Sequence, residues 1–323
     1  MTALERAILQ SVVYASVFDY PLTLAQLRDS LIGERADEHT LARCYATSVL
    51  LQAGIEHVDG FYFPRGRRDL LDTRQRREVA SRRLLATLWR PLSLIATMPF
   101  VRMVALSGSL AHLNADDEAD LDLFVITRPA RVWSVTLTTL VLARLLGWRK
   151  RLCLNYVVSE RALMVGPADL FCANQIVHLQ PLTGSEAYMA FLDSNRFIER
   201  FYPNFRPRNG GRDFPVLSER QRVEGSPAFT MARATLEHLL DWTIAPLYER
   251  LCRFIYGRHL RRRAHTWQSR DQVRLEPECL KLHTSSHRRE VMEKFERRLE
   301  SVVQQAEAEV LTLSGSSPMR VAR

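Results

Sequence analysis

Two short groups of residues in the middle of the chain have the types and spacing that phosphate chemistry requires. Gly108 and Ser109 follow the apolar run Val101–Leu106, and ten residues later Asp120 and Asp122 open a second apolar run. Glycine lets the backbone approach a ligand closely, and serine offers a hydroxyl and an amide. Exposed amides at such a bend suit phosphate groups, so Gly108 and Ser109 are candidate nucleotide-binding residues.

The two aspartates are predicted to bind a metal ion. Residues two apart on a strand point to the same face, so the carboxylates of Asp120 and Asp122 would lie side by side. Two such carboxylates repel each other unless a cation lies between them. Mg²⁺ commonly takes one or two carboxylates together with substrate phosphates. The alternative is that residues 114–118 form a surface loop that leads into a strand with an acidic edge.

The surrounding segment alternates strands and helices, which indicates an α+β fold. Buried strands are predicted at 101–106, 121–127 and 152–158, because each is a short apolar run rich in β-branched residues. A helix is predicted at 131–147, between the second and third strands. The third of these strands contains Asn155 in its middle.

The segments on either side of this core predict further domains. Residues 1–66 contain three helical patterns, the third at 38–52, and then two short strands around an Asp59-Gly60 turn. This order is typical of a winged helix-turn-helix, a module that binds nucleic acid or docks on protein. The remaining predictions are a connecting helix at 67–99, a linker at 206–228, a helical C-terminal region at 229–313 and a loose tail at 314–323.

The pattern of an apolar residue, Gly-Ser, a variable stretch and Asp-x-Asp resembles the DNA polymerase β-like nucleotidyltransferase superfamily. The chain looks most like bacterial nucleotidyltransferase-domain proteins that have an N-terminal winged-helix-like region. This closer resemblance spans about residues 3–205 and rests on four segments: Phe18-Asp19-Tyr20-Pro21-Leu22-Thr23, Pro99-Phe100-Val101, Cys153-Leu154-Asn155-Tyr156 and Pro203-Asn204.

The resemblance implies a nucleotidyltransferase fold over residues 100–205, with a small mixed sheet and flanking helices. It implies transfer of a nucleoside monophosphate from a nucleoside triphosphate such as ATP to a hydroxyl acceptor, with release of pyrophosphate. Gly108 and Ser109 would then hold the phosphates. Asp120 and Asp122 would bind Mg²⁺, with two ions when the triphosphate is present. The acceptor stays open: small molecules, RNA ends and protein hydroxyls are all used in this superfamily.

Asn155 departs from the superfamily pattern. Active members commonly supply a third carboxylate at this position, which helps to deprotonate the acceptor. An asparagine can hold a water molecule or a hydroxyl, but it cannot act as a base. Glu160 could substitute if the end of the strand curls back. Otherwise the domain would be a catalytically weakened regulatory module that binds nucleotide or nucleic acid.

The charge of the chain favours anionic partners. Lys and Arg number 45 against 36 Asp and Glu, which gives a formal charge of +9 and a pI near 9.7. Nucleotides, nucleic acid and an acidic membrane surface all fit this balance. Arg128 and Arg131 could neutralise a triphosphate or simply flank a helix, and Arg128 is the predicted nucleotide ligand. The cluster at 258–263 could contact a nucleic acid backbone or be a solvated helix end.

The remaining sequence features indicate a cytoplasmic protein. The five cysteines include no Cys-x-x-Cys pair, which argues against a zinc ribbon and a disulfide framework. No secretory leader precedes the first helical pattern. The longest apolar run, 132–148, contains an arginine and several threonines, so it is predicted to be a buried helix. On this basis we expect no membrane partner.

Overall fold

The computed structural model describes residues 1–207, 227–269, 273–282 and 287–315. The fold is α+β, as predicted: a mixed six-stranded sheet has helices packed on both faces, and an N-terminal unit of helices carries a small sheet of its own. Most of the predicted linker and most of the predicted tail, at 208–226 and 316–323, lie outside the described residues.

The N-terminal unit consists of four helices and a three-stranded antiparallel sheet in the order β1-β3-β2. The third helix predicted at 38–52 is two helices, because Ser48 adopts an extended conformation and its hydroxyl caps a new helix at the amide of Leu51. The elements are α1 Ala3–Ser16, β1 Leu22–Thr23, α2 Leu24–Asp29, α3 Glu38–Thr47, α4 Val49–Gly54, β2 Ile55–Val58 and β3 Phe61–Pro64.

A long helix, α5 (Asp69–Thr97), follows this unit, as predicted. Its buried residues recur at three- and four-residue spacing, which is one face of an α-helix. This face packs on the central sheet through Leu85, Leu88, Leu92 and Ile95.

The central sheet has the strand order β7-β4-β5-β6-β9-β8, and it contains the three predicted strands. β4 runs antiparallel to both β5 and β7, whereas β5 and β6 are parallel and are joined by the predicted helix α7. The elements are β4 Val101–Leu106, α6 Gly108–Ala111, β5 Leu121–Thr127, α7 Val132–Leu145, β6 Leu152–Ser159, α8 Leu170–Val177, β7 Gln180–Thr183, α9 Ser185–Ser194 and α10 Ile198–Phe201.

The C-terminal region is not only helical, and this corrects the sequence prediction. A hairpin of two short strands completes the central sheet, since β9 pairs with β6. Strands of three and four residues are too short to give a periodic signal, and β9 is held by its neighbour in the sheet rather than by its own pattern. The elements are α11 Pro227–Trp242, α12 Ala245–Arg262, β8 Val273–Leu275, β9 Cys279–Leu282 and α13 Arg288–Gly315.

The last helix, α13, returns to the N-terminal unit. The Phe295 ring lies edge-on to the ring of Tyr14, with 5.1 Å between centroids, and both belong to one core. Gly54 at the end of α4 faces Val302 and Ala306 so closely that a Cβ there would lie 3.3–3.4 Å from their methyl groups. The two ends of the chain therefore share one core. Among the described helices, none has the length and apolar character to cross a bilayer.

Replacing Phe295 with alanine tests this shared core. The side chain is buried, so its removal leaves a cavity and should lower the free energy of unfolding by about 3–5 kcal/mol. The measurement is urea denaturation, with Val79→Ala on the exposed face of α5 as the control, for which a change within about 0.5 kcal/mol is expected. Equal stability of the two variants would show that α13 does not support the N-terminal unit.

Candidate active site

The Gly108-Ser109 bend lies at the end of β4, where the chain turns into the short helix α6. Gly108 has a φ of +64°, in the left-handed region that favours glycine. Just before it, the amide of Ser107 donates a hydrogen bond of 2.9 Å to the carbonyl of Asp122. This hydrogen bond holds the bend against the beginning of β5.

The carboxylate of Asp122 packs directly on the α-carbon of Gly108. A Cβ atom built at Gly108 would lie 2.5 Å from Oδ2 of Asp122 and 3.2 Å from its Cγ. No other residue type could occupy position 108 without displacing this carboxylate. The structure therefore brings together the glycine and the second aspartate that the sequence pattern singled out.

Burial and charge both act against ionisation of Asp122. Burial and, to a smaller extent, the negative charge of Asp120 raise the pKa of Asp122 to about 6, although a hydrogen bond from the Cys153 thiol acts in the opposite direction. Asp120 is exposed and lies immediately before β5. A nearby cation would stabilise the ionised form of such a carboxylate, which burial otherwise makes unfavourable.

The donor set at this point fits a hard divalent cation bound together with a ligand. The described residues contain no group of three or more His, Cys, Asp or Glu side chains that could enclose a metal ion by themselves. Two neighbouring carboxylates are nevertheless what Mg²⁺ commonly takes from a protein, with phosphates and water completing its shell. Asp122 and Asp120 are the residues that would hold such an ion.

A β-bulge lies beside Asp122 in the neighbouring strand. Asp122 pairs with Cys153 and Phe124 pairs with Tyr156, so two residues of β6 stand opposite the single residue between them in β5. One of those two is Asn155. The backbone of Asn155 thus lies next to the aspartate strand, whereas its side chain lies outside the described part of the structure.

Glu160 does not reach this site. Its amide bonds to the carbonyl of Thr127 at the far end of β5, and its carboxylate lies 3.9 Å from the guanidinium of Arg102. The strand does not curl back, so the described residues offer no substitute there for the third carboxylate.

Arg128 is also not brought to the site, which corrects its prediction as a nucleotide ligand. It follows β5 at the end opposite Asp122, six residues away, which is about 20 Å along a strand. Its guanidinium pairs with Asp241 of α11, and so does that of Arg131. These two arginines hold α11 against the sheet.

A cavity of 580 Å³ opens from the bend and extends beneath the N-terminal unit. Cavities that bind small molecules commonly measure about 300–1,000 Å³. Its wall contains Gly108, Ser109 and Tyr202, and also Tyr14, whose buried hydroxyl has no hydrogen-bond partner within the described structure.

Two histidines that the sequence pattern did not select as ligands line the cavity near the bend. The rings of His112 and His178 are 4.2 Å apart, and Tyr20 contacts His112 edge-on. His112 follows α6 closely, but His178 is 66 residues further along the chain. Only the placement of α8 and β7 brings it there, so no local signal could have identified it.

The cavity wall is more acidic than the chain as a whole. It contains Asp19, Asp29 and Asp116 but only one arginine, Arg77. Asp19 pairs with Arg67 and Arg77, and Asp29 pairs with Arg28, so most of this negative charge is compensated.

Comparison with known proteins gives no relative for this chain. No family model matches it, and neither a curated protein nor a solved structure matches it.

Replacing Gly108 with alanine tests the contact with Asp122. Gly60→Ala is a matched control, because Gly60 also has a positive φ (+79°) but has open space around its α-carbon. Both variants carry the strain of a left-handed alanine, about 1 kcal/mol. Gly108→Ala should be less stable than Gly60→Ala by a further 1–2 kcal/mol, roughly, because the buried carboxylate must move.

The measurement is urea denaturation of the two variants beside the unmodified protein. An equal loss of stability in both would contradict the close packing of the carboxylate on the bend.

Proposed function

We propose that this protein is a Mg²⁺-dependent nucleotidyltransferase that moves a nucleoside monophosphate from a nucleoside triphosphate to a hydroxyl acceptor and releases pyrophosphate. The observation that carries the proposal is the Asp122 carboxylate packed against the Gly108 bend, with a pKa raised to about 6. A glycine bend with two acidic residues beside it suits a metal-bound triphosphate.

Each residue of the site has a role in this proposal. The backbone around Gly108 and Ser109 binds the phosphates, and the Ser109 hydroxyl is a further donor. Asp122 and Asp120 hold the magnesium, which when bound neutralises charge on the phosphates and on the departing pyrophosphate. The role of Asp122 is therefore to position the triphosphate relative to the acceptor.

The finer description of the fold belongs to the same proposal. Residues 100–205 would form a nucleotidyltransferase fold, supported by the mixed pairing of β4, β5 and β6. Residues 1–66 would form a winged-helix-like domain, supported by their helices followed by a small antiparallel sheet. The cytoplasm is the proposed location, since none of the five cysteines forms a disulfide bond.

The acceptor would bind in the 580 Å³ cavity, between the bend and the N-terminal unit. Aromatic rings and polar groups along its wall, including the unpartnered Tyr14 hydroxyl, suit a small molecule that carries hydroxyl groups. A cavity of this size suits a small molecule better than the end of an RNA strand.

A second function has one observation in its favour. The position expected for a third carboxylate carries Asn155, and Glu160 lies at the other end of the strand. The chain would then bind Mg²⁺ and nucleotide as a regulatory module with little or no turnover, and its N-terminal unit could contact nucleic acid. Both functions use the same nucleotide site, so binding alone cannot distinguish them. The presence or absence of catalytic turnover does.

Isothermal titration calorimetry with ATP and Mg²⁺ tests the nucleotide site without knowledge of the acceptor. Binding is expected for the unmodified protein and should require the metal. Asp122→Asn should weaken it about 10- to 100-fold, because a charged interaction is worth about 1.5–3 kcal/mol. The control is Asp117→Asn. Asp117 is exposed and lies in the loop that precedes β5, so this substitution should leave the affinity unchanged.

Equal affinities of these two variants for ATP and Mg²⁺ would contradict the assignment of the nucleotide site.

Release of pyrophosphate from the four ribonucleoside triphosphates then distinguishes an enzyme from a regulatory module. Release that is abolished by the Asp120→Ala/Asp122→Ala double substitution supports the enzyme. Metal-dependent binding without any release, even with a pool of small hydroxylated metabolites, supports the module.

A further inference from the structure

Helices α11 and α12 leave a broad apolar surface open to solvent. Along α12, Ile244, Leu247, Leu251 and Phe254 recur at spacings of three and four, so they line one face of the helix. Leu247 is 70% exposed and Phe254 is 66% exposed. We call these four residues the apolar ridge.

The apolar surface continues on both neighbouring helices. Trp242, at the end of α11, is 86% exposed, and Leu239 one turn before it is also exposed. On the other side, α7 contacts α12 through the hydroxyls of Thr138 and Tyr248, which are 2.9 Å apart. One turn beyond Thr138, Val141 is exposed as well. Soluble monomers rarely leave apolar patches of this extent unless the patch has a binding role.

Arginines lie beside the ridge and at its C-terminal end, and α12 exposes no acidic side chain. Six arginines lie between residues 250 and 263, and none forms an ion pair with another described residue. The one acidic residue of α12, Glu249, is buried and accepts hydrogen bonds from the amides of Trp133 and Ser134 at the start of α7. The arginines are Arg250, Arg253, Arg258, Arg261, Arg262 and Arg263.

The charge distribution decides among the occupants of this surface. A second copy in a two-fold arrangement would place the same patch against itself, so arginines would meet arginines or apolar side chains. A nucleic acid would satisfy the arginines but would leave the ridge and Trp242 in water. An anionic lipid surface satisfies both, because the apolar side chains enter the acyl boundary while the arginines contact the headgroups.

We therefore propose that α11 and α12 form a docking surface for anionic phospholipid membranes, with the ridge and Trp242 inserted at the interface. The contact is peripheral, since no described helix can span a bilayer. It departs from the expectation of no membrane partner, which rested on the lack of a spanning segment. It is independent of the proposed nucleotidyltransferase activity, because none of these residues lines the cavity or the bend.

Flotation of the full chain with two kinds of vesicle tests the proposal. One kind contains equal parts of phosphatidylglycerol and phosphatidylcholine, and the other contains phosphatidylcholine alone. Binding is expected only to the first kind, weakening as salt is raised, because headgroup attraction is screened. Tryptophan emission should shift to shorter wavelength on binding, and Trp242→Phe should remove most of that shift.

Two variants separate the apolar and charged contributions. Leu247→Ser/Phe254→Ser and Arg258→Gln/Arg261→Gln/Arg262→Gln should each lower the partition coefficient about tenfold or more. The matched controls on other surfaces are Val49→Ser/Val79→Ser and Arg76→Gln/Arg83→Gln/Arg90→Gln, all at exposed positions, and both should bind like the unmodified protein. Because every substituted side chain is solvent-exposed, circular dichroism should report unchanged folding.

Three results would overturn the proposal. The first is equal binding to both kinds of vesicle, and the second is ridge variants that bind as tightly as their controls. The third is a dimer in sedimentation equilibrium that the ridge substitutions dissociate, together with no vesicle binding. That outcome would assign the surface to a second copy of the chain.

Discussion

The arrangement of the site depends on one close contact, the carboxylate of Asp122 against the α-carbon of Gly108. Only a glycine leaves room for this carboxylate, and its positive φ turns the chain from β4 into α6 at the same point. The contact places a half-buried acid beside backbone amides, an electrostatic environment that penalises the charged acid until a cation arrives. The same bend forms part of the wall of the 580 Å³ cavity.

The C-terminal third of the chain holds this core in place through buried acids. Glu237 of α11 accepts a hydrogen bond from the amide of Phe100 and pairs with Arg102, which fixes the start of β4. Glu249 of α12 binds the first amides of α7, where the helix dipole favours a negative charge. Both acids face inward, where they form hydrogen bonds with residues of the core. The outer face of the same two helices is apolar and basic. The structural role of α11 and α12 and their proposed docking role therefore use opposite faces.

Local patterns predicted the α+β class, the three central strands and the meeting of Gly108 with Asp122, because strand periodicity and strand ends are encoded by neighbouring residues. They did not predict the hairpin β8–β9, because its strands are too short for a periodic signal and its place in the sheet depends on β6, more than a hundred positions earlier. They also did not predict the return of α13 to the N-terminal core, since it pairs the two ends of the chain. Arg128 is only six residues from Asp122 in sequence, but this is about 20 Å along an extended strand, and Arg128 pairs with Asp241 there. His178 and Tyr14, which line the cavity with the bend, come together only through the tertiary fold.

The most direct test of the central claim is the titration of Asp122 itself. In protein labelled with ¹³C at aspartate carboxyl carbons, with Asp122→Asn used to assign the signal, the carboxyl resonance should titrate with a pKa of about 6. Adding Mg²⁺ and a non-hydrolysable triphosphate should lower that midpoint below the ordinary value for aspartate, about 3.9, because the bound cation favours the charged carboxylate. A midpoint near the ordinary value in the free protein, or one that metal and triphosphate leave unchanged, would contradict the account.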